Sequence, residues 1–252
     1  MKYVENGSLR QHLNKNFNSL NWSNKLFNLY TIAKGLANIH DKELIHRDFH
    51  CGNILNYDTT TSTITDLGLC KPANEKSENS EKRIYGVLPY VAPEVLRGKE
   101  YTQESDIYGF GIIAYELCTG YPPYHDINHD ESLAMRICNG QRPNSNYKIP
   151  QLIIDIIKQC WDADPLKRPK TFELRELFSN LQFGIYENYS TIYEQIKEAD
   201  EINKNLPSLS STTGTLSYTT HPQAIYISRL LDFKNLPKPK NDDNNDLKYS
   251  GN

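Results

Sequence analysis

The stretch "LIHRDFHCGNIL", Leu44 to Leu55, sets two histidines, an arginine, an aspartate and an asparagine between two apolar ends. Such a segment holds polar side chains on buried anchors, which is how loops carry chemistry. Upstream, Leu26, Leu29, Ile32, Ala33, Leu36 and Ile39 recur at helical spacing. That spacing predicts a long amphipathic helix ending near His40, and Ser8 predicts a cap for a short helix over Leu9–Lys15. Around and after the stretch, "ELI", "NILNY" and "STITD" predict three short strands bounded by turn residues. Cys70 to Arg83 is polar and rich in Lys, Glu, Ser and Asn, the composition of a mobile loop. Helical signals then dominate: Ser105–Thr119, Ser132–Asn139, Pro150–Trp161, Thr171–Leu181 and roughly Tyr186–Asn205. The pattern predicts a mainly α body with a small β element, of the α+β class.

The 252 residues, 38% hydrophobic and 23% charged, suffice for one core plus a tail. A net charge of −3 gives no basic field for nucleic acid or an anionic membrane. The five cysteines are scattered, without C-x-x-C spacing, and are read as reduced thiols of a cytoplasmic protein. The start "MKYVENGSLRQHLNK" has no apolar h-region, and the longest apolar stretch, Ile107–Gly120, is too short to span a bilayer. After Leu206 the composition turns to Ser, Thr, Pro, Asn and Asp, so residues 207–252 are expected to be mostly disordered. Within them "HPQAIYISRLLDF", His221–Phe233, is an apolar island expected to form a short docking helix, and the 183–233 region is a candidate partner surface. "GFGIIA", Gly109–Ala114, fits a loose dinucleotide fingerprint, but no strand precedes it and it lies in an apolar helix.

"HRDFHCGN", His46–Asn53, resembles the protein-kinase catalytic loop H-R-D-x-x-x-x-N. "DLG", Asp66–Gly68, is similar to the D-F-G metal motif, and "APE", Ala92–Glu94, is literal. "SDIYGFG" and the arginine of "PLKRP" resemble two further family features, and "MKYVENGSL" resembles the hinge. "NGSL", "GLANIH" and the tryptophan of "QCWDADPLKRP" look most like the tyrosine-kinase-like and receptor-like branch. The resemblance covers residues 1–182 and implies the hinge and large lobe of a protein kinase, with 183–206 a helical extension. It implies ATP and Mg²⁺ as cofactors, a protein substrate, and signal transduction by protein phosphorylation.

By that resemblance Asp48 is the catalytic base, and Asn53 and Asp66 are metal ligands whose hard oxygens suit Mg²⁺. Asn53 and His50 complete the catalytic set. The backbone of Lys2 and Val4, with Leu55, Thr65 and Asp66, forms the implied ATP contacts. Arg47 either grips a phosphate on Ser77, Ser80 or Tyr85 of the Asp66–Glu94 segment or serves a constitutively ordered loop. His46, Glu94, Asp106 and Arg168 are read as scaffold. Glu94 and Arg168 are expected to pair, and Asp106 to accept backbone N–H groups of the catalytic loop.

His50 stands where Ser/Thr kinases keep Lys, and Val87 where they keep Thr. A histidine is a weaker fixed cation near neutral pH. Acceptor specificity therefore stays open between Ser/Thr and Tyr, with "LPYVAPE" leaning to Ser/Thr. The sequence holds no Gly-rich phosphate loop and no V-A-I-K lysine, so the small β-rich lobe is expected to be missing and transfer to be weak or absent. The competing expectation is a catalytically dead scaffold or binding module.

Overall fold

The computed structural model describes residues 7–73, 84–206 and 218–241. Ser8 caps α1 (Leu9–Asn16) through a reciprocal pair with Gln11, and Asn21 caps α2 (Trp22–His40) in the same way with Asn24. Each cap satisfies amide donors that the first helical turn leaves orphaned. The α2 face carrying Leu26, Leu29, Ile32, Ala33 and Leu36 is fully buried.

Among the described residues, six short strands form antiparallel pairs. They are β1 (Leu44–Ile45), β2 (Ile54–Asn56), β3 (Ser62–Ile64), β4 (Lys71–Pro72), β5 (Ile84–Gly86) and β6 (Arg229–Leu231). β1 pairs with β4, β2 with β3, and β5 with β6 in the register Ile84 to Leu231, Tyr85 to Leu230 and Gly86 to Arg229.

The remaining helices are α3 (Pro93–Leu96), α4 (Gln103–Thr119), α5 (Glu131–Cys138), α6 (Gln151–Cys160), α7 (Thr171–Gly184) and α8 (Thr191–Asn203). α2 packs on α7, and α4 packs on α6. α4 runs through the middle of the body, buried on every side from Ser105 to Thr119. That all-round burial is why its sequence shows no polar stripe. Gly109 and Gly111, the residues behind the false dinucleotide fingerprint, are packing contacts inside it. A Cβ at Gly109 would lie 3.0 Å from the Phe49 carbonyl of the His46–Asn53 loop, and one at Gly111 only 2.8 Å from Cys160 Cβ. Among the described residues no helix is long and apolar enough to cross a membrane.

The body is mostly helical with small antiparallel strand pairs, as the periodicities predict. Three elements differ. β4 falls in the Cys70–Arg83 stretch expected to be a loop, of which residues 74–83 lie outside the described residues. The last helix begins at Thr191 rather than near Tyr186, because Ser190 breaks the run with Tyr189 at φ 70° and caps the new helix on the Tyr193 amide. The tail differs more. Residues 218–241 lie across the body, and the apolar island 221–233 is extended rather than helical. β-branched Ile225 and Ile227 and the nearby Pro222 and Pro237 disfavour a helix. The backbone of this segment bonds to other parts of the chain instead: the His221 amide to the His125 carbonyl, the Gln223 carbonyl to the His129 amide, and the Lys240 amide to the Cys138 carbonyl. Leu231 and Leu236 are buried.

Candidate active site

The loop His46–Asn53 is held from behind by Asp106, at the start of α4. Its carboxylate accepts the His46 amide at 2.7 Å and the Arg47 amide at 3.1 Å, and the His40 ring nitrogen lies 3.0 Å away. His46 faces the other way. Its Nε2 lies 3.1 Å from the Thr65 carbonyl, and its Nδ1 lies 3.4 Å from the Asp48 amide. A proton on Nε2 satisfies both contacts with a neutral ring.

Asp48 is buried at the front of the loop. Asn53 Nδ2 donates to its backbone carbonyl at 2.9 Å and reaches its carboxylate at 3.3 Å. His50 Nδ1 accepts the Gly52 amide at 3.0 Å, which leaves Nε2 as the protonated nitrogen of a neutral ring, 3.6 Å from Asp48 Oδ1. The Ser228 hydroxyl donates to the same carboxylate, with the two oxygens at 2.7 and 2.6 Å. Burial works to raise the Asp48 carboxyl, but the neighbouring His50 ring, with hydrogen bonds from Ser228 and Asn53, outweighs it and holds the group below the usual carboxylate range.

Asp66 reaches the same end of the molecule through the β2–β3 hairpin. The Thr65 amide and hydroxyl both donate to the Asn53 carbonyl, at 2.8 and 3.1 Å, so Asp66 follows directly on a residue bonded to Asn53. Asp66 is exposed, sits in the left-handed region at φ 57°, and makes no hydrogen bond among the described residues. Arg47 has φ 70°. Left-handed non-glycine residues are uncommon and cluster at functional sites. Leu55 is half-buried in β2, opposite Thr63 and bridged to Ser8.

Arg47 stacks over Tyr101, its guanidinium carbon 5.2 Å from the ring centre, and the Tyr101 hydroxyl donates to the Tyr85 carbonyl of β5 at 2.7 Å. Tyr85 is itself about half exposed. Glu94 and Arg168 form a buried two-pronged pair at 2.7 and 2.8 Å. Arg168 also donates to the Asp162 and Glu104 carbonyls, at 2.9 Å each. Val87 is buried at the end of β5 and offers no polar atom to the site. Lys2, Val4, Ser77 and Ser80 lie outside the described residues.

Three features carried no signal in the sequence motifs. Ser228 is 180 residues from the aspartate it touches. Its only trace was an apolar run in a polar tail. Arg10 reaches Glu116 at 2.9 Å beneath the site, with Tyr90 bonded to both. Lys25 is buried beside Phe17, Trp22 and Tyr147, its Nζ 4.0 to 4.7 Å from the three ring centres.

An HRD-type loop, a hairpin, a DLG turn, an APE segment and a buried Glu–Arg pair on one helical body are the arrangement of the protein kinases. Residues 1–178 match the family described as protein tyrosine and serine/threonine kinase, and the chain belongs to that family. It is 32% identical over 189 residues to a probable serine/threonine-protein kinase, roco5, of Dictyostelium discoideum, covering 69% of this chain and 7% of that protein. It is 35% identical over 170 residues to a putative serine/threonine-protein kinase/receptor, R818, of Acanthamoeba polyphaga mimivirus, covering 67% and 10%. It is also 30% identical to the tyrosine-protein kinase SPK-1 of Girardia tigrina, covering 70% and 37%. The chain thus spans a small part of the relatives it matches. The family uses ATP and Mg²⁺ in general.

Proposed function

We propose that these residues form the large lobe of a protein kinase that transfers phosphate from ATP to serine or threonine hydroxyls of protein substrates. The observation that carries this is the aliphatic hydroxyl seated 2.6 to 2.7 Å from the Asp48 carboxylate, within reach of proton transfer. A serine side chain fills that distance, whereas a tyrosine on the same backbone would drive its ring into the loop. The printed names of the relatives include both serine/threonine and tyrosine kinases, so the preference for aliphatic acceptors rests on this geometry and on "LPYVAPE".

The donor set fits a hard divalent cation. Asn53 spends its amide N–H on Asp48, which turns its oxygen free, and Asp66 offers an exposed carboxylate one residue from the bonded hairpin end. Two protein oxygens would leave room for phosphate and water oxygens to complete such a shell. When bound, ATP supplies the phosphoryl group and Mg²⁺ screens its charge. Asp48 orients the acceptor and takes its proton, and His50 Nε2–H reaches the same oxygen. Leu55 and Thr65 line the adenine side of the cleft. The free thiols of all five cysteines support a reducing compartment such as the cytoplasm.

The test is single-turnover transfer from labelled Mg·ATP to a serine peptide by the full chain. Asp48→Asn should lower the rate ~10²- to 10⁴-fold, and Asp66→Asn should raise the Mg²⁺ concentration required. Equal rates for wild type and Asp48→Asn would remove the base assignment. The second reading, a lobe that binds partners without transfer, is favoured by the exposed Leu67 and Leu69 at the metal-motif turn. Unchanged partner binding in the slowed Asp48→Asn variant would support it.

A further inference from the structure

The hydroxyl at Asp48 belongs to the chain's own tail, and this changes what the site does at rest. β6 lies antiparallel on β5, the strand of the Asp66–Glu94 segment nearest the catalytic loop. A Cβ at Gly86 would lie 3.7 Å from Asp48 Oδ1. One step beyond the last ladder pair, Gly86 with Arg229, the register brings Ser228 opposite Val87. There its oxygen meets three groups at once: both Asp48 oxygens and His50 Nε2 at 3.2 Å.

The strand is pinned on both sides of that serine. Before it, the Ile225 amide lies 3.1 Å from His129 Nδ1, and the Tyr226 hydroxyl donates to the Pro123 carbonyl at 3.0 Å. Arg10 lies 4.0 Å over the Tyr226 ring. After it, Arg229 donates to the His129 carbonyl, Leu231 is 3% exposed, and Arg97 donates to the Leu236 carbonyl at 3.2 Å. An extended peptide added to a strand edge, with one hydroxyl held at a base, is the geometry of a bound acceptor.

We propose that residues 225–231 occupy the acceptor-peptide groove in cis and present Ser228 as an intramolecular phosphorylation site. This rests on the kinase reading above for the chemical step, but groove occupancy does not. In that step Ser228 Oγ forms a bond to the γ-phosphorus of ATP. The bond from that phosphorus to the bridging oxygen breaks, and its electron pair leaves with ADP. The hydroxyl proton passes to the Asp48 carboxylate and then to solvent. The product carries a phosphate of nearly two negative charges against a buried carboxylate, so it leaves the groove by repulsion. Unmodified, the tail competes with every external acceptor. One turnover on itself opens the site.

Hydrogen exchange on the full chain without nucleotide tests occupancy. Segments 84–86 and 229–231 should be protected in wild type and in Ser228→Ala. In Ser228→Glu they should exchange roughly tenfold faster or more. Free-peptide exchange at 229–231 in wild type would overturn the proposal. Incubation with Mg·ATP followed by site mapping tests the transfer. Phosphate on Ser228, at a fraction independent of protein concentration, is the expected result. Transfer to an added serine peptide but never to Ser228 would overturn the modification site. Protection without transfer to any acceptor would overturn the kinase reading, and the modification with it, while occupancy stands.

Discussion

Asp106 and Asp48 are both buried aspartates at the same loop, one behind it at the start of α4 and one within it, yet their partners differ in kind. Asp106 is surrounded by the His46 and Arg47 amides and the His40 ring, all fixed parts of the body. Asp48 is held on one side by Asn53 and on the other by a serine from the tail. The first carboxylate has donors that nothing else can replace. The second has one donor that another hydroxyl could replace. Burial alone does not separate scaffold from chemistry here. What separates them is whether the donors are permanent.

Glu94–Arg168 belongs with Asp106, and it gives the largest expected effect. Arg168→Ala leaves a buried carboxylate unpaired and should cost about 3–5 kcal/mol in denaturant unfolding. A loss below 1 kcal/mol would mean water reaches Glu94 and that this pair is not closed. Asp106→Asn keeps one acceptor oxygen but turns an amide toward backbone donors. It should cost about 1–3 kcal/mol, more than Asp48→Asn does on the same scale. The reverse order would break the distinction drawn above.

Lys25 sharpens the rule, because it is a buried cation with no carboxylate in contact among the described residues. Its Nζ donates to the Cys118 carbonyl and the Tyr147 hydroxyl, each at 3.0 Å. Burial pushes the ammonium down to about 7. The unfolded chain, titrating near 10.5, holds that proton across the interval between the two values. Stability therefore rises with pH above about 7. Between pH 7 and 8.5 the gain should be about 1–2 kcal/mol, and Lys25→Met should lack it. A flat wild-type profile would show that the three aromatic faces keep the cation charged.

The site was legible where its residues are local. His46 to Asn53 lie within eight positions, and Asp66 follows a hairpin short enough to read from turn residues and alternation. Glu94, Asp106 and Arg168 could be named only through the family resemblance, since no periodicity links positions 74 residues apart. Ser228 itself was not legible. Its segment was read as an apolar island expected to dock as a short helix, within a tail whose polar composition gave a mostly disordered signature. Composition averages over a window, whereas docking here depends on two leucines, one serine and a strand register. The left-handed Asp66 was equally hidden, because an Asp before Leu-Gly predicts a turn but not its hand.

The antiparallel pair between β5 and β6 also bears on how the polypeptide can be shortened. A boundary at residue 206 is the natural choice from composition. It would strip the outer strand from β5, open the seats of Leu231 and Leu236, and leave a short ladder of backbone donors and acceptors facing water. An unpaired edge beside apolar hollows invites another molecule's strand. Trimming this tail exchanges an intramolecular seam for a tendency to self-associate, so a shortened protein would be harder to keep in solution than the longer one.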